Sequence, residues 1–391
     1  MRSASETNTR RITTTESAED TEIFFVFFSV ISVLSVVIIF MFAYGGYRMN
    51  HFTHESPLRI AVTQGNYPVM LDPPDDHWKK TFKQYCELSE AAARQTAKEG
   101  KPLHLIVWPE TVFPYQLIES GGGTVPEEWE DYDSREIPLL MASRWNTPLL
   151  LGASTLLFTP EREDRLNSAV LVDPKTQTVG PRYDKVHLVM FGEYVPFAEY
   201  LPDNFPLKTL CQTASRGTGP VAIPIPGTDG PAYLSANICF EGLVPHLIRR
   251  QITELRRQGK EPEVLVNLSN VGWFFFSSQI DLHLAAQVFR AVENRKPYIT
   301  AANSGFSASI DANGTILNHG KRREAVSFIS EIRPDRRKSF YTTYGDWFAY
   351  GCLILTAGLL FHRATNKFGV FNAKSAKSAK KRNLRKKHIF L

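Results

Sequence analysis

The chain predicts an α/β layered domain flanked by two apolar membrane segments, and three observations predict it. Strand-like and helix-like patterns alternate from Leu58 to about Tyr341. A charge-free run, Ile23 to Tyr44, precedes that span, and a second apolar run, Trp347 to Phe361, follows it. The 391 residues suffice for one large domain plus extensions, and 43% hydrophobic with 22% charged residues is ordinary for a globular protein.

Each element has a local reason. Arg59-Ile60-Ala61-Val62 is a short apolar strand, Leu103 to Trp108 a buried-strand run, and Leu149 to Ser154 another. Pro74 to Gly100 carries Trp78, Phe82, Tyr85 and Leu88 at helical spacing and stops at a glycine. Ser168 to Val172, Asp173-Pro174 and Thr178 to Arg182 form a hairpin pattern. Tyr233 to Cys239 and Val264 to Leu268 are strands, with a helix from Pro245 to Arg257 between them. Asp281 to Asn294 is a helix with Leu282, Ala285, Ala286 and Phe289 on one face. Tyr298 to Ala302 and Ser307 to Ile310 are strands, and Asn313-Gly314 is a turn.

The first apolar run has 22 residues, which as a helix spans about 33 Å and crosses a hydrocarbon core of roughly 30 Å. It is too long for a cleaved signal peptide and lacks a small-x-small cleavage site. The second run has 15 residues with Trp347 and Tyr350 at one end and Arg363 and Lys367 at the other. Spanning with so few requires bilayer thinning or extension to Tyr344. The net charge of +5 is local: ten Lys or Arg and no acids lie from His362 onward, leaving about −5 for the rest. A nucleic-acid partner is therefore not expected. By the positive-inside rule the tail is cytoplasmic, and two crossings place the middle domain in the periplasm or exterior of a bacterial inner membrane. The expected division is a cytoplasmic segment (1–22), a membrane helix (23–44), a catalytic domain (58–341), a membrane helix (346–362) and a basic tail (363–391) lying near anionic lipid.

Cys86, Cys211, Cys239 and Cys352 are too scattered for a disulfide framework, and no CxxC pair suggests zinc; no metal or cofactor is expected. Three residues stand out because each follows a buried strand: Glu110 in Trp108-Pro109-Glu110, Lys185 in Tyr183-Asp184-Lys185, and Cys239 in Asn237-Ile238-Cys239. Singly, each has a plain structural reading: a surface glutamate, a hairpin lysine, an inert buried cysteine. Together a carboxylate, an ammonium and a thiol suit acyl transfer. Glu110 would take the thiol proton, Lys185 would stabilise the thiolate and the oxyanion, and the N–H after Cys239 would add a second oxyanion donor.

In this order the motifs WPE, YDKVHLVMFGEYVPF and NICFE resemble the nitrilase, or carbon–nitrogen hydrolase, superfamily over Leu58 to about Ile332. The resemblance implies a four-layer α-β-β-α sandwich and a Glu-Lys-Cys trio matching Glu110, Lys185 and Cys239. The FGEYVPF stretch, Asn270 to Trp273, and Tyr344-Gly345-Asp346-Trp347 before an apolar helix are similar to the apolipoprotein N-acyltransferase family. That likeness implies a phospholipid acyl donor, a cysteine thioester and a diacylglyceryl lipoprotein acceptor. It also implies substrate-binding roles for Glu193, Glu241 and Trp273. Family members carry several membrane helices before the domain, whereas one apolar run precedes it here; a membrane partner supplying the others is one expectation. Phe274-Phe275-Phe276 either dips into the bilayer or is a buried aromatic run. The rival readings are a membrane-anchored amidase hydrolysing a small amide, and a non-enzymatic binding domain.

Overall fold

The computed structural model describes residues 27–29, 31–50, 56–70, 72–130, 133–202, 214–228, 230–274 and 277–365. The expectations for the N-terminal segment, the start of the first apolar run, Cys211, Phe275, Phe276 and the basic tail from 366 lie outside the described residues.

Two sheets form the centre. The first, seven-stranded, contains β1 (Leu58–Gln64), β2 (Leu105–Val107), β3 (Leu117–Ser120), β4 (Leu149–Phe158), β5 (Glu163–Asp173), β6 (Thr178–Asp184) and β13 (Val326–Ile332) in the order β13-β1-β2-β4-β5-β6, with β3 beside β4. The second, six-stranded, contains β7 (Ala222–Pro226), β8 (Pro231–Ile238), β9 (Val264–Ser269), β10 (Tyr298–Ala302), β11 (Ala308–Ile310) and β12 (Ile316–His319) in the order β12-β11-β10-β9-β8-β7. In each sheet the central strands are parallel and buried on both faces, which accounts for their unbroken apolar runs. One core lies between the sheets, where Ile60, Val62, Val107 and Leu150 meet Leu234, Ala236, Val266 and Ile299.

Helices cover the outer faces. On the first sheet, α2 (His77–Glu99) and α3 (Glu136–Trp145) pack with Tyr85, Trp108, Met141 and Trp145 in a second core. On the second sheet lie α4 (Pro245–Arg257) and α5 (Gln279–Asn294). The layering is thus α-β-β-α. Helix α5 departs from its expected face. Leu282 and Phe289 are 57% and 62% exposed, while His283, Gln287, Arg290 and Asn294 turn inward. The polar face is buried because the ends of the second sheet offer it polar partners. Gln287 Nε2 donates to Asn267 Oδ1 at 3.1 Å, and Arg290 Nη1 to the Leu243 carbonyl at 3.2 Å.

Among the described residues, two helices are long and apolar enough to cross a membrane: α1 (Phe27–Asn50) and α6 (Trp347–Thr365). α6 gains its length at its C-terminal end. The expected extension to Tyr344 does not occur, because Gly345 (φ +66°) separates it from the short helix Phe340–Tyr344. The domain-side ends of both helices meet one segment. Arg48 Nη2 donates to the Lys338 carbonyl at 3.0 Å, Arg337 donates to the Arg48 carbonyl, and residues 338–346 lead from Arg337 to Trp347, the first residue of α6.

Candidate active site

Glu110, Lys185 and Cys239 converge where the parallel strands end, and each is held by its own local device. Glu110 sits three residues beyond β2 and is 7% exposed. Its turn presses on β4 so closely that a Cβ on Gly152 would lie 2.2 Å from the Pro109 carbonyl oxygen and 2.7 Å from Glu110 Cα. Only glycine permits that approach. Both carboxylate oxygens are then occupied. Oε1 accepts from Asn167 Nδ2 at 2.8 Å and from Lys185 Nζ at 3.4 Å, and Oε2 accepts from the Asn270 N–H at 2.8 Å.

Lys185 follows β6 directly and is 1% exposed. An ammonium is tolerated at that depth only if paired. Besides Glu110 it donates to Glu193 Oε1 at 2.7 Å. Burial opposes its charge, but Glu110, the Cys239 sulfur and Glu193 outweigh this and hold its pKa above the usual lysine range. Glu193 is oriented in turn by the Val189 N–H, 2.8 Å from Oε2. A Cβ on Gly217 would lie 2.2 Å from the Asp184 carbonyl oxygen, and the Gly217 N–H donates to the Lys185 carbonyl at 2.9 Å, so the backbone on both sides of Lys185 is clamped.

Cys239 does not close β8, as the sequence suggests. The strand ends at Ile238, and Cys239 opens a 3-10 turn in the left-handed region, at φ +51°. A non-glycine residue there costs on the order of 1 kcal/mol or more and persists only if its surroundings over-determine it. They do. Asn267 Nδ2 donates to the Cys239 carbonyl at 3.1 Å and to Asn237 Oδ1 at 2.7 Å, and Tyr298 donates to the same Oδ1 at 2.8 Å. Burial pushes the Cys239 thiol up to about 12; the Glu110 charge adds to the rise, and the Lys185 ammonium and the nearby Ser269 hydroxyl oppose it. The resting sulfur is a neutral thiol at physiological pH.

The three remaining candidates have different surroundings. Glu193 belongs to the cluster, facing Lys185. Glu241, expected to bind substrate, is fully buried and its oxygens are saturated. Oε1 accepts from the Val186 and His187 N–H groups and Oε2 from Tyr183 and the Ile238 N–H, all at 2.8 Å. It ties the Lys185 segment to the Cys239 turn, which makes it a positioning residue. Trp273 is 55% exposed on the 3-10 turn Val271–Phe274, three residues beyond the Asn270 N–H that binds Glu110.

Sequence reasoning missed Asn167, Asn267, Ser269 and Gln287. Ser269 closes a buried parallel strand, the signal already used for Glu110; the two asparagines lie inside strands and give no local sign. Among the described residues no group of three or more His, Cys, Asp or Glu side chains could hold a metal ion.

The arrangement can pass a proton from thiol to carboxylate and place a cation beside a developing oxyanion. Residues 59–340 match the carbon-nitrogen hydrolase family. The chain is 32% identical over 331 residues to an apolipoprotein N-acyltransferase from Geobacter metallireducens, covering 84% of this chain and 58% of that protein. It is 28% identical over 301 residues to one from Bdellovibrio bacteriovorus, covering 76% and 51%. The chain thus spans little more than half the length of these curated relatives. Saccharomyces cerevisiae Nit3, a member of branch 10 of the nitrilase superfamily, aligns with a TM-score of 0.49 at 16% identity over 71% of this chain and 91% of that one. With a family match over most of its length and a clustered carboxylate, ammonium and thiol, this chain belongs to the carbon-nitrogen hydrolase family.

Proposed function

We propose that this chain is a membrane-anchored N-acyltransferase. It moves a fatty acyl chain from a phospholipid, through a thioester on Cys239, to the N-terminal amine of a diacylglyceryl lipoprotein. The observation that carries this reading is the setting of the cluster. The loop that holds Glu193 turns Met190, Phe191, Phe197 and Tyr200 outward, and Trp273 is exposed on the turn beyond Asn270. Exposed apolar side chains gathered on site-bearing loops suit lipid chains better than a small polar amide. The tie of α1 and α6 to one segment of the domain supports holding that loop system against a bilayer, with the domain on the exterior or periplasmic side.

In this mechanism Glu110 accepts the Cys239 proton as sulfur bonds to the ester carbonyl carbon. Lys185 stabilises the tetrahedral oxyanion. The lysophospholipid alkoxide leaves and takes the proton from Glu110. The acceptor amine then attacks the thioester, Glu110 takes its proton, and the departing sulfur recovers it. Burial holds the free thiol above its ordinary range, so the attack needs Glu110 to take the proton.

The test is intact mass of the purified chain in phospholipid micelles. A mass gain equal to a fatty acyl chain is expected on the native protein and on neither Cys239→Ser nor Lys185→Ala. Subsequent loss of the adduct to an added diacylglyceryl lipopeptide completes the cycle. Absence of the adduct, with turnover of a small amide by the same preparation, would establish the amidase reading instead.

A further inference from the structure

His283 is buried beside the cluster without a partner. It is 4% exposed, and neither ring nitrogen meets a hydrogen-bond acceptor or donor. A fold rarely retains an unpaired buried imidazole unless something else pairs with it. It lies on the inward face of α5, one turn before Gln287, whose amide reaches the Asn267 that holds the Cys239 carbonyl. Its ring packs against Phe274, 5.7 Å between centroids, on the turn that follows Asn270. It is close enough to Glu110 and Lys185 to feel both charges, and burial keeps it neutral, with a pKa near 4. None of the proton transfers between Glu110, Lys185 and Cys239 uses it.

We infer that His283 accepts a hydrogen bond from the primary ammonium of the acyl acceptor and so selects an amine over water in the second half-reaction. This rests on the acyltransferase reading above. Two carboxylates, Glu110 and Glu193, against one ammonium, Lys185, leave the cluster with one net negative charge. A cationic acceptor is drawn to it. A phospholipid ester needs donors at its carbonyl, which Lys185 supplies; an ammonium needs acceptors, and both Glu110 oxygens are already engaged. A neutral imidazole supplies a free lone pair without adding a competing cation. Held there, the ammonium loses one proton to solvent. It passes a second to Glu110 as nitrogen bonds the thioester carbon; the carbon–sulfur bond breaks, and sulfur takes that proton back.

The experiment separates the half-reactions in the full chain, comparing wild type, His283→Phe and His283→Gln. Thioester formation from phospholipid is read by intact mass, and transfer to a diacylglyceryl lipopeptide is read as kcat and KM for the peptide. His283→Phe should form the thioester at the wild-type rate, which also reports a folded site. Its KM for the lipopeptide should rise on the order of tenfold or more, because a site built to pair an N–H loses that partner. His283→Gln, which restores an acceptor, should recover most of the loss. An unchanged KM in His283→Phe overturns the inference. So do equal losses in both half-reactions with no recovery in His283→Gln, which mark a structural role. Failure of the wild type itself to acylate the lipopeptide sinks the acyltransferase reading, and this inference with it.

Discussion

Helices α4 and α5 cover the same sheet and bury different faces, α4 a mainly apolar one with Gln251 its one polar member and α5 a mainly polar one with Ile280 and Ala291 its apolar members. α4 turns Leu247, Ile248, Ile252 and Leu255 inward, against Leu265, Tyr298 and Ile310. α5 turns His283, Gln287, Arg290 and Asn294 inward and leaves Leu282 and Phe289 in the open. The first is an ordinary amphipathic helix whose burial stabilises the layer. The second contributes partners for the Cys239 turn. Burying a polar group costs free energy unless it finds a partner; on α5 the Gln287 amide N–H finds Asn267 and Arg290 finds Leu243 and Glu293, while His283 finds none. The difference teaches that one helix supports the fold and its neighbour supports the site.

Paired substitutions are the strongest way to break this comparison. Ile252→Ala in α4 should cost about 2–5 kcal/mol by denaturant unfolding and leave thioester formation by the folded protein intact. Gln287→Leu in α5 should cost less, about 1–3 kcal/mol, because the Asn267 amide oxygen keeps only the Thr300 hydroxyl, at 3.5 Å. Its thioester formation should nevertheless slow on the order of tenfold to a hundredfold, because the Cys239 turn loses its anchor. Equal activity losses in the two variants would erase the distinction.

A pH titration sharpens it further. The buried face of α4 carries no titratable group, whereas α5 buries His283. Burial lowers the His283 pKa from 6.5 to about 4, so the unfolded chain binds the extra proton in that window. The stability due to neutral His283 is present above about 6.5 and is lost as pH falls toward about 4. Wild-type protein should therefore lose stability over that window relative to His283→Phe, with unfolding midpoints measured at each pH. Parallel curves for the two proteins would exclude the buried neutral imidazole. The smallest effect belongs to the outer stripe of α5. Leu282→Ser should change stability in detergent by within about 0.5 kcal/mol, and a loss comparable to that of Ile252→Ala would show that the stripe is packed.

How far the site was legible depended on where each residue lies along its element. Glu110 and Cys239 follow apolar strands, and strand ends in an α/β sheet are where polar groups can emerge from the core; Lys185 instead follows the half-exposed edge strand β6. Asn167 and Asn267 are strand-interior residues whose neighbours are chosen by strand order, which no local pattern encodes. The burial of Glu241 was hidden from the sequence for a related reason. Adjacency to Cys239 in sequence suggested a shared site, but the 3-10 turn after Ile238 points the carboxylate back at the Ile238 N–H.

The sequence by itself determined the strand and helix inventory around the site, the two apolar segments and the three chemistry-bearing residues, because periodicity and composition are local properties of the chain. Tertiary structure alone decided the left-handed turn at Cys239, the inward polar face of α5 and the closure of Glu110, Glu193 and Lys185 into one charged cluster. Those outcomes depend on which distant backbone donors and amides arrive beside each side chain, and that arrival is fixed by the packing of two sheets and their helices.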